Sequence, residues 1–335
     1  MASLPLLPDS GPTLVGIARL AAHGESIREG HNVEYFTLPV RSLLNRCVSK
    51  RELPFTWSIN PYRGCEFACK YCYARYTHEF MEMRDGISFE QKIFVKQHAS
   101  DLLQQELRHV KAGESITMGA ATDPYQPAEK RYEVTRGILE VFAQKKGFSL
   151  GIITKSNLVL RDLELLKEVA RRNYISVSLT ITTLDIDLAR ILEPRAPRPD
   201  LRMEAVRKLN EAGITTGVSC CPVLPGITDN AKNLESVVRG TVEAGGQYIF
   251  ANPLYLKPCS SKVFMPFLEK QFPHLAASYH ERYDKSAFLP KAYGKRISQL
   301  MERLRNKYGM HKRKNRFDQL IVPEQEPEAQ MTLFK

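Results

Sequence analysis

Residues 60–73 read Asn60-Pro-Tyr-Arg-Gly-Cys65-Glu-Phe-Ala-Cys69-Lys-Tyr-Cys72-Tyr73, a C-x3-C-x2-C spacing directly after the short run Ser58-Ile59-Asn60. Pro61 and Gly64 disfavour a regular helix up to Cys65, so the first thiolate leaves a loop, and Cys69 and Cys72 are expected to begin the next helix. The chain has seven cysteines (Cys47, Cys65, Cys69, Cys72, Cys220, Cys221, Cys259), and three of them crowd into eight positions. With no export signal in view, that clustering favours metal over disulfides. Three thiolates can hold three irons of a [4Fe–4S] cluster and leave the fourth iron open to a substrate. Arg63, Lys70 and Arg75 would offset the negative charge of thiolates and sulfides. Two other readings stay open on these residues alone. One is a structural zinc site with His78 as fourth ligand; the other is three small buried residues on one helical face.

Outward from this segment, apolar or β-branched runs alternate with helical patterns. After Ser58–Asn60 the strand candidates are Ser115–Ala121, Ser149–Thr154, Ile175–Thr182, Thr215–Val223 and Tyr248–Ala251. Amphipathic patterns lie between them at His98–Val110, Val134–Gln144, Asp162–Arg171, Arg202–Ala212 and Leu234–Ala244, with Gly147 and Gly213 placed to stop two of them. Strands separated by such helices imply parallel βαβ units and an α/β class. A partial or full barrel is the expected architecture, with a doubly wound sheet as the alternative. Either one puts ligands at the C-terminal ends of the strands. The expected organisation is an N-terminal extension (1–54) with a short helical stretch near Val40–Arg46, a core barrel (55–260), a basic helical segment (261–320) and a flexible tail (321–335).

The 335 residues are 43% hydrophobic and 25% charged, which argues against wholesale disorder or a fibrous repeat. No apolar run approaches the roughly 20 residues that span a bilayer. The start of the chain has no basic residue before Arg19 and no signal-peptide pattern, so a cytoplasmic protein without a membrane partner is expected. The net charge of +11 is concentrated: residues 291–316 hold ten basic side chains and one acid, leaving +2 for the rest.

The spacing C-x3-C-x-Φ-C with Tyr71 as the aromatic resembles the signature of the radical S-adenosylmethionine (SAM) superfamily. The stretches NPYRGCEFACKYCYAR, GAATDPYQPAEKRYEVTRGILE, ITKSNLVLRDLELL, ITTLDIDLARILEPRAPRP and PVLPGITD resemble its spore-photoproduct-lyase-related branch over about residues 55–260. That resemblance implies a partial (βα)6 TIM-like barrel. It also implies a [4Fe–4S] cluster on Cys65, Cys69 and Cys72, and reductive cleavage of SAM to a 5′-deoxyadenosyl radical that abstracts hydrogen. The electron would come from an external one-electron reductant of flavodoxin or ferredoxin type. The substrate stays open, with DNA or another nucleic acid the class favoured by the basic segment.

Further residue roles follow from the same resemblance. Gly119, Ala120, Thr122 and Asp123 match the segment that meets the SAM ammonium. Thr154, Lys155 and Ser156 offer an ammonium and hydroxyls to its carboxylate. Ser178 and Thr180 alternate toward one strand face and could meet the ribose, and Val223, Pro225 and Gly226 resemble the adenine-contacting segment. Arg195 is a candidate anion clamp, His78 and Glu79 a candidate proton-transfer pair, and Cys259 a candidate hydrogen donor. Ala121 stands where spore photoproduct lyases have their hydrogen-donating cysteine, which argues against that same reaction. At the other end, Gln330, Leu333 and Phe334 in Gln-x-x-Leu-Phe resemble the peptide that docks on the bacterial DNA sliding clamp. A rival from another class is a non-catalytic adaptor, held together by zinc or a closed cluster, that binds nucleic acid. An adaptor has no use for an open iron or for polar segments at successive strand ends.

Overall fold

A computed structural model describes residues 14–30, 32–48 and 54–310. Eleven strands form among them: β1 (Ser26–Gly30), β2 (Val33–Leu38), β3 (Leu44–Arg46), β4 (Trp57–Ile59), β5 (Tyr62–Arg63), β6 (Lys92–Lys96), β7 (Ser115–Met118), β8 (Ser149–Thr154), β9 (Tyr174–Thr180), β10 (Thr215–Val223) and β11 (Ile249–Pro253). The main sheet has the order β11-β10-β9-β8-β7-β4-β3. Its strands β4 and β7–β11 pair in parallel, and β3 runs antiparallel on β4 at the edge. This is the partial six-stranded α/β barrel expected from the sequence.

Period-two alternation decides which residues meet the helices and which line the inside. Ile116, Met118, Leu150, Ile152, Ile175, Val177, Leu179, Val218 and Cys220 join one core with Ile138, Leu139 and Phe142 of the helix Val134–Gln144. Each such large aliphatic side chain contributes about 1.5–3 kcal/mol when fully buried. The alternate positions are small or polar: Thr117, Gly151, Ser176, Ser178, Thr180, Gly217, Ser219 and Cys221. A Cβ on Gly151 would lie 3.7 Å from both Thr117 Oγ1 and Ser176 Oγ, which puts these three on one inner face. Tyr248 lies against Gly217, where a Cβ would come within 2.6 Å of its ring, and reaches across to Ser178 Oγ at 2.8 Å. Tyr248 therefore floors the barrel, and the room for a ligand lies above it, toward the C-terminal ends of the strands.

Several sequence expectations are corrected. Val40–Arg46 is not helical: Leu44–Arg46 forms β3, whose Leu44 pairs with Ile59, and the Glu106 carboxylate takes the N–H groups of Leu43 and Leu44. Sheet pairing outweighs a weak local helical pattern. No helix begins at Cys69; a turn through Ala68, at φ 55°, precedes a 3-10 turn at Tyr73–Arg75 and the helix Tyr76–Glu79. A second sheet, β1-β2-β6-β5, is built partly from the N-terminal stretch and carries Tyr62 and Arg63 at the root of the cysteine loop.

The basic segment contains a long helix that docks on the barrel. Its helix Lys291–Lys307 buries Ile297, Met301 and Leu304 and packs on β11. Arg296 pairs with Asp229 at 2.7 Å and Lys307 with Glu235 at 2.6 Å, so part of the charge docks the helix. Lys291, Lys295 and Arg303 remain exposed without an ion pair among the described residues. Residues 311–316 of the basic stretch, and Gln330, Leu333 and Phe334, lie outside the described residues. No described helix is long and apolar enough to cross a membrane.

Candidate functional site

The cysteine loop leaves the C-terminal end of β4 and is gripped from two sides. On one side, Thr122 Oγ1 donates to the Gly64 carbonyl at 2.5 Å, and Gln126 Nε2 donates to the same oxygen at 3.2 Å. Gln126 Oε1 accepts from Glu66 N at 3.1 Å, and Glu66 Oε1 accepts from Ala128 N at 2.8 Å. On the other side, Lys70 N donates to Leu192 O at 3.0 Å and Arg195 N to Phe67 O at 3.3 Å. Ser260 Oγ, at the start of the helix Pro258–Gln271, donates to Cys72 O at 2.8 Å. Cys65 and Cys69 are buried and Cys72 is half-buried, all against one apolar cluster with Phe67, Tyr71 and Phe89. Burial, then the nearby Asp123 carboxylate, pushes the Cys65 thiol well up, and burial pushes Cys69 up to about 12. Thiols raised in this way release their protons when a metal binds them.

Asp123 organises the next two strand ends. Its Oδ1 accepts from Thr154 Oγ1 at 2.6 Å and Tyr125 N at 2.9 Å, and its Oδ2 accepts from Lys155 N at 2.7 Å. Its carboxylate therefore ties the β7 loop to the β8 loop. Gly119, at φ +93°, is required there, because a Cβ would sit 2.4 Å from the Ile153 carbonyl. Ser156 is spent locally, its Oγ capping the turn Asn157–Asp162 through Leu158 N at 3.2 Å. Replacing Asp123 with asparagine exchanges one acceptor oxygen for a donor, so at least one of the three converging donors loses its partner. We expect Asp123→Asn to cost about 1–3 kcal/mol, read as a lower melting temperature; an unchanged melting curve would remove Asp123 from this role.

Lys155 points into the cysteine pocket. Its Nζ lies 5.6 Å from the Tyr71 ring centroid. Burial works against this ammonium, yet Cys69 and then Glu193 outweigh it and hold its pKa above the ordinary value. Glu193 itself is fully buried, accepts a short hydrogen bond from Tyr71 Oη, and meets Arg202 Nη1 at 2.5 Å. Burial alone would raise its carboxyl; Arg202 first and Lys155 next bring it below the usual range.

Aromatic side chains arch over the mouth beside Cys72. Tyr73 and Tyr76 stack at 6.4 Å, Tyr73 and Tyr255 meet at 6.2 Å, and Tyr255 stacks on Phe288 at 4.2 Å. Lys257 Nζ stands 3.4 Å from the Tyr76 centroid. Tyr73 is 41% exposed and Phe80, edge-on to Tyr76, is 56% exposed. Tyr73 Oη donates a short hydrogen bond to Ala120 O, tying the rim to the β7 loop.

Other expected residues fall elsewhere. His78 is buried between Phe89 and Phe94 with Nε2 at 3.0 Å from Lys92 O, and burial lowers its pKa to about 4. That separates it from Glu79 as a proton-transfer pair and from the cysteines as a zinc ligand. Ser178 is engaged by Tyr248, and Val223 packs in the outer core, so neither lines the pocket as expected. Pro225 is buried beside Tyr279, which donates to Pro225 O at 2.8 Å, while Gly226 is exposed with Leu275 next to it. Thr180 stays on the inner face, while its carbonyl accepts from Arg202 Nη1 at 3.0 Å. Arg195 is exposed and holds the loop by its backbone alone. Cys259 is buried at a helix start, Cys220 faces the helices, and Cys221 faces the inside of the barrel. Sequence reasoning missed Glu193, Arg202, Gln126, Tyr73 and Ser260. Glu193 and Gln126 lie inside motifs already singled out, but nothing local marks a carboxylate or amide as buried.

The donor set suits an iron–sulfur cluster. Three soft thiolates share one loop pinned from both sides, and cationic Lys155 faces them. Among the described residues no three His, Cys, Asp or Glu side chains converge on a point as one metal ion would require.

The family model described as the radical SAM superfamily matches residues 59–235, more than half of the chain. An uncharacterised protein of Mycobacterium bovis is 34% identical over 269 residues, covering 80% of this chain and 79% of its own. An uncharacterised protein of Methanocaldococcus jannaschii is 33% identical over 230 residues, covering 69% of this chain and 80% of its own. Among solved structures, a spore photoproduct lyase mutant superposes with a TM-score of 0.59 at 14% identity, over 82% of this chain and 80% of that one. Another mutant of that lyase, solved with bound AdoMet and dinucleoside spore photoproduct, gives a TM-score of 0.56 at 15% identity, over 82% and 79%. At such identities the likeness establishes the fold.

Proposed function

The chain belongs to the radical SAM superfamily, and from that premise we propose that Cys65, Cys69 and Cys72 hold its [4Fe–4S] cluster and that the aromatic mouth beside them receives nucleic acid. The observation that carries the first part is the cysteine loop itself, clamped at the C-terminal end of the parallel sheet by Thr122, Gln126 and the 192–195 backbone. When bound, the cluster and SAM supply reductive cleavage of the sulfonium and hydrogen abstraction from a substrate. The chain's own residues do the rest. Lys155 offers its ammonium to the SAM carboxylate, Thr180 lines the inner wall, and the Tyr248 floor keeps water from entering below. An external one-electron reductant is needed, and a flavodoxin or ferredoxin is the type we propose.

Nucleic acid is favoured by the Tyr73, Tyr76, Tyr255 and Phe288 arch with Lys257 among its rings, since bases stack on aromatic faces and cations meet phosphate. Lys291, Lys295 and Arg303 add exposed positive charge, and the Gln330, Leu333 and Phe334 resemblance to a clamp-docking peptide favours DNA over RNA. The test titrates anaerobically reconstituted protein with a single-stranded oligodeoxynucleotide and with an abasic strand of equal length. Stacking predicts about 10-fold weaker binding of the abasic strand, and a matching loss with Tyr255→Leu plus Phe288→Leu. Equal affinity for the two strands would remove the stacking role.

A further inference from the structure

We infer that Glu193 is a positioning residue for the cofactor pocket: its buried carboxylate, held by the Tyr71 hydroxyl and by Arg202, keeps the Lys155 ammonium over the Tyr71 ring, where that ammonium meets the SAM carboxylate. The inference rests on the reading above that this pocket holds the cluster and SAM, and it adds a residue with no place in the cysteine motif.

The geometry is a chain of contacts running from the far side of the barrel wall into the cysteine loop. Arg202, on the helix Pro199–Glu211, is almost wholly buried and donates to Pro197 O at 2.7 Å and Thr180 O at 3.0 Å as well as meeting Glu193 at 2.5 Å. Glu193 then accepts from Tyr71, which lies between Cys69 and Cys72, and Thr182 Oγ1 approaches the same carboxylate oxygen at 3.4 Å. Lys155, just past the end of β8, sets its Nζ 5.6 Å from the centroid of that Tyr71 ring.

The charges explain why such an arrangement is kept. Desolvating an ion pair consumes most of what its attraction returns, so a buried Arg–Glu pair is a poor device for stability alone. Here the carboxylate stands within electrostatic reach of two cations that repel each other, Lys155 and Arg202. Without the negative charge between them, Lys155 is driven away from Arg202 and loses its fixed place over Tyr71. With it, the group carries one net positive charge, fitted to a single carboxylate.

The experiment is a double-mutant cycle on the anaerobically reconstituted full chain, with SAM binding read by equilibrium dialysis and the cluster read by its midpoint potential. We expect Glu193→Gln to weaken SAM binding about 10-fold, the loss of one charged hydrogen bond, and to do so only where Lys155 is present. In a Lys155→Met background the same change should have almost no effect. The midpoint potential should rise in Glu193→Gln, because a buried negative charge near the cluster is gone; a merely structural defect would instead lose iron. If Glu193→Gln does not fold, because Arg202 is left buried without its partner, Tyr71→Phe carries the test: it keeps the Arg202 pair, removes only the link to the loop, and should also weaken SAM. Equal losses from Glu193→Gln with and without Lys155, or wild-type affinity in both Glu193→Gln and Tyr71→Phe, would overturn the inference while leaving the cofactor assignment standing. Failure of the iron-loaded wild type to bind SAM would take down both.

Discussion

Cys69→Ala is expected to abolish formation of 5′-deoxyadenosine from SAM, with the brown iron–sulfur absorption lost or greatly weakened in protein made and kept without oxygen. Cys69 sits on the turn between Ala68 and Lys70, buried against Tyr71 and within reach of the Lys155 ammonium. Its carbonyl is held twice, accepting from Cys72 N at 3.2 Å and from Arg75 Nη2 at 3.0 Å. Cys220 faces the helices and Cys259 is packed at a helix start, so neither is placed to replace it. Cys220→Ala, a small change in the outer core, is the matching control and should retain both absorption and product. Stoichiometric zinc without iron in the wild type, or unchanged turnover in Cys69→Ala, would refute the assignment.

The second large effect is on stability. Glu129 is fully buried and collects four donors: Tyr62 Oη at 2.5 Å, Thr135 N at 2.9 Å, Arg136 N at 3.1 Å and Arg161 Nη2 at 2.9 Å. Two of these are N–H groups at the start of the helix Val134–Gln144, where a carboxylate also meets the favourable end of the helix dipole. Tyr62 belongs to β5, three residues before Cys65, so this one side chain binds the root of the cysteine loop to the β7 loop. Glu129→Ala leaves those donors and the Arg161 charge without their acceptor. We expect a loss of about 3–5 kcal/mol, which for a chain of this size is a fall of about 4–7 °C in melting temperature. Thermal unfolding followed by circular dichroism measures it directly. A fall of only a degree or two would mean that water replaces the carboxylate.

Much of the fold was legible because it depends on local patterns that repeat. All six inner strands and five helices between them were placed within a few residues of where they lie, and Ser149–Thr154, Thr215–Val223 and Val134–Gln144 were placed to the residue. Alternation in β9 separates Ile175, Val177 and Leu179 from Ser176, Ser178 and Thr180 without reference to anything distant. What escaped depends on partners far along the chain. β3 is a strand because β4 offers it an edge, and β6 because β2 and β5 flank it.

The candidate site divides in the same way. Three cysteines within eight positions, an aromatic between the last two, and polar residues after successive strands are statements about neighbours in the chain, and the sequence alone determined them, together with the family. It could not show that the Asp123 carboxylate is taken up by Thr154, Tyr125 and Lys155, that Ser178 bonds to Tyr248 at the floor, or that His78 turns into the core between Phe89 and Phe94. Nor could it show that Glu193, 122 positions from Tyr71, closes a charged network beneath the cysteine loop. Residue type and spacing determine which chemistry a chain can hold. Which side chain has a free lone pair or an uncompensated charge is decided only by tertiary structure, because burial raises the cost of every unpaired polar group and leaves the partner brought alongside to determine its role.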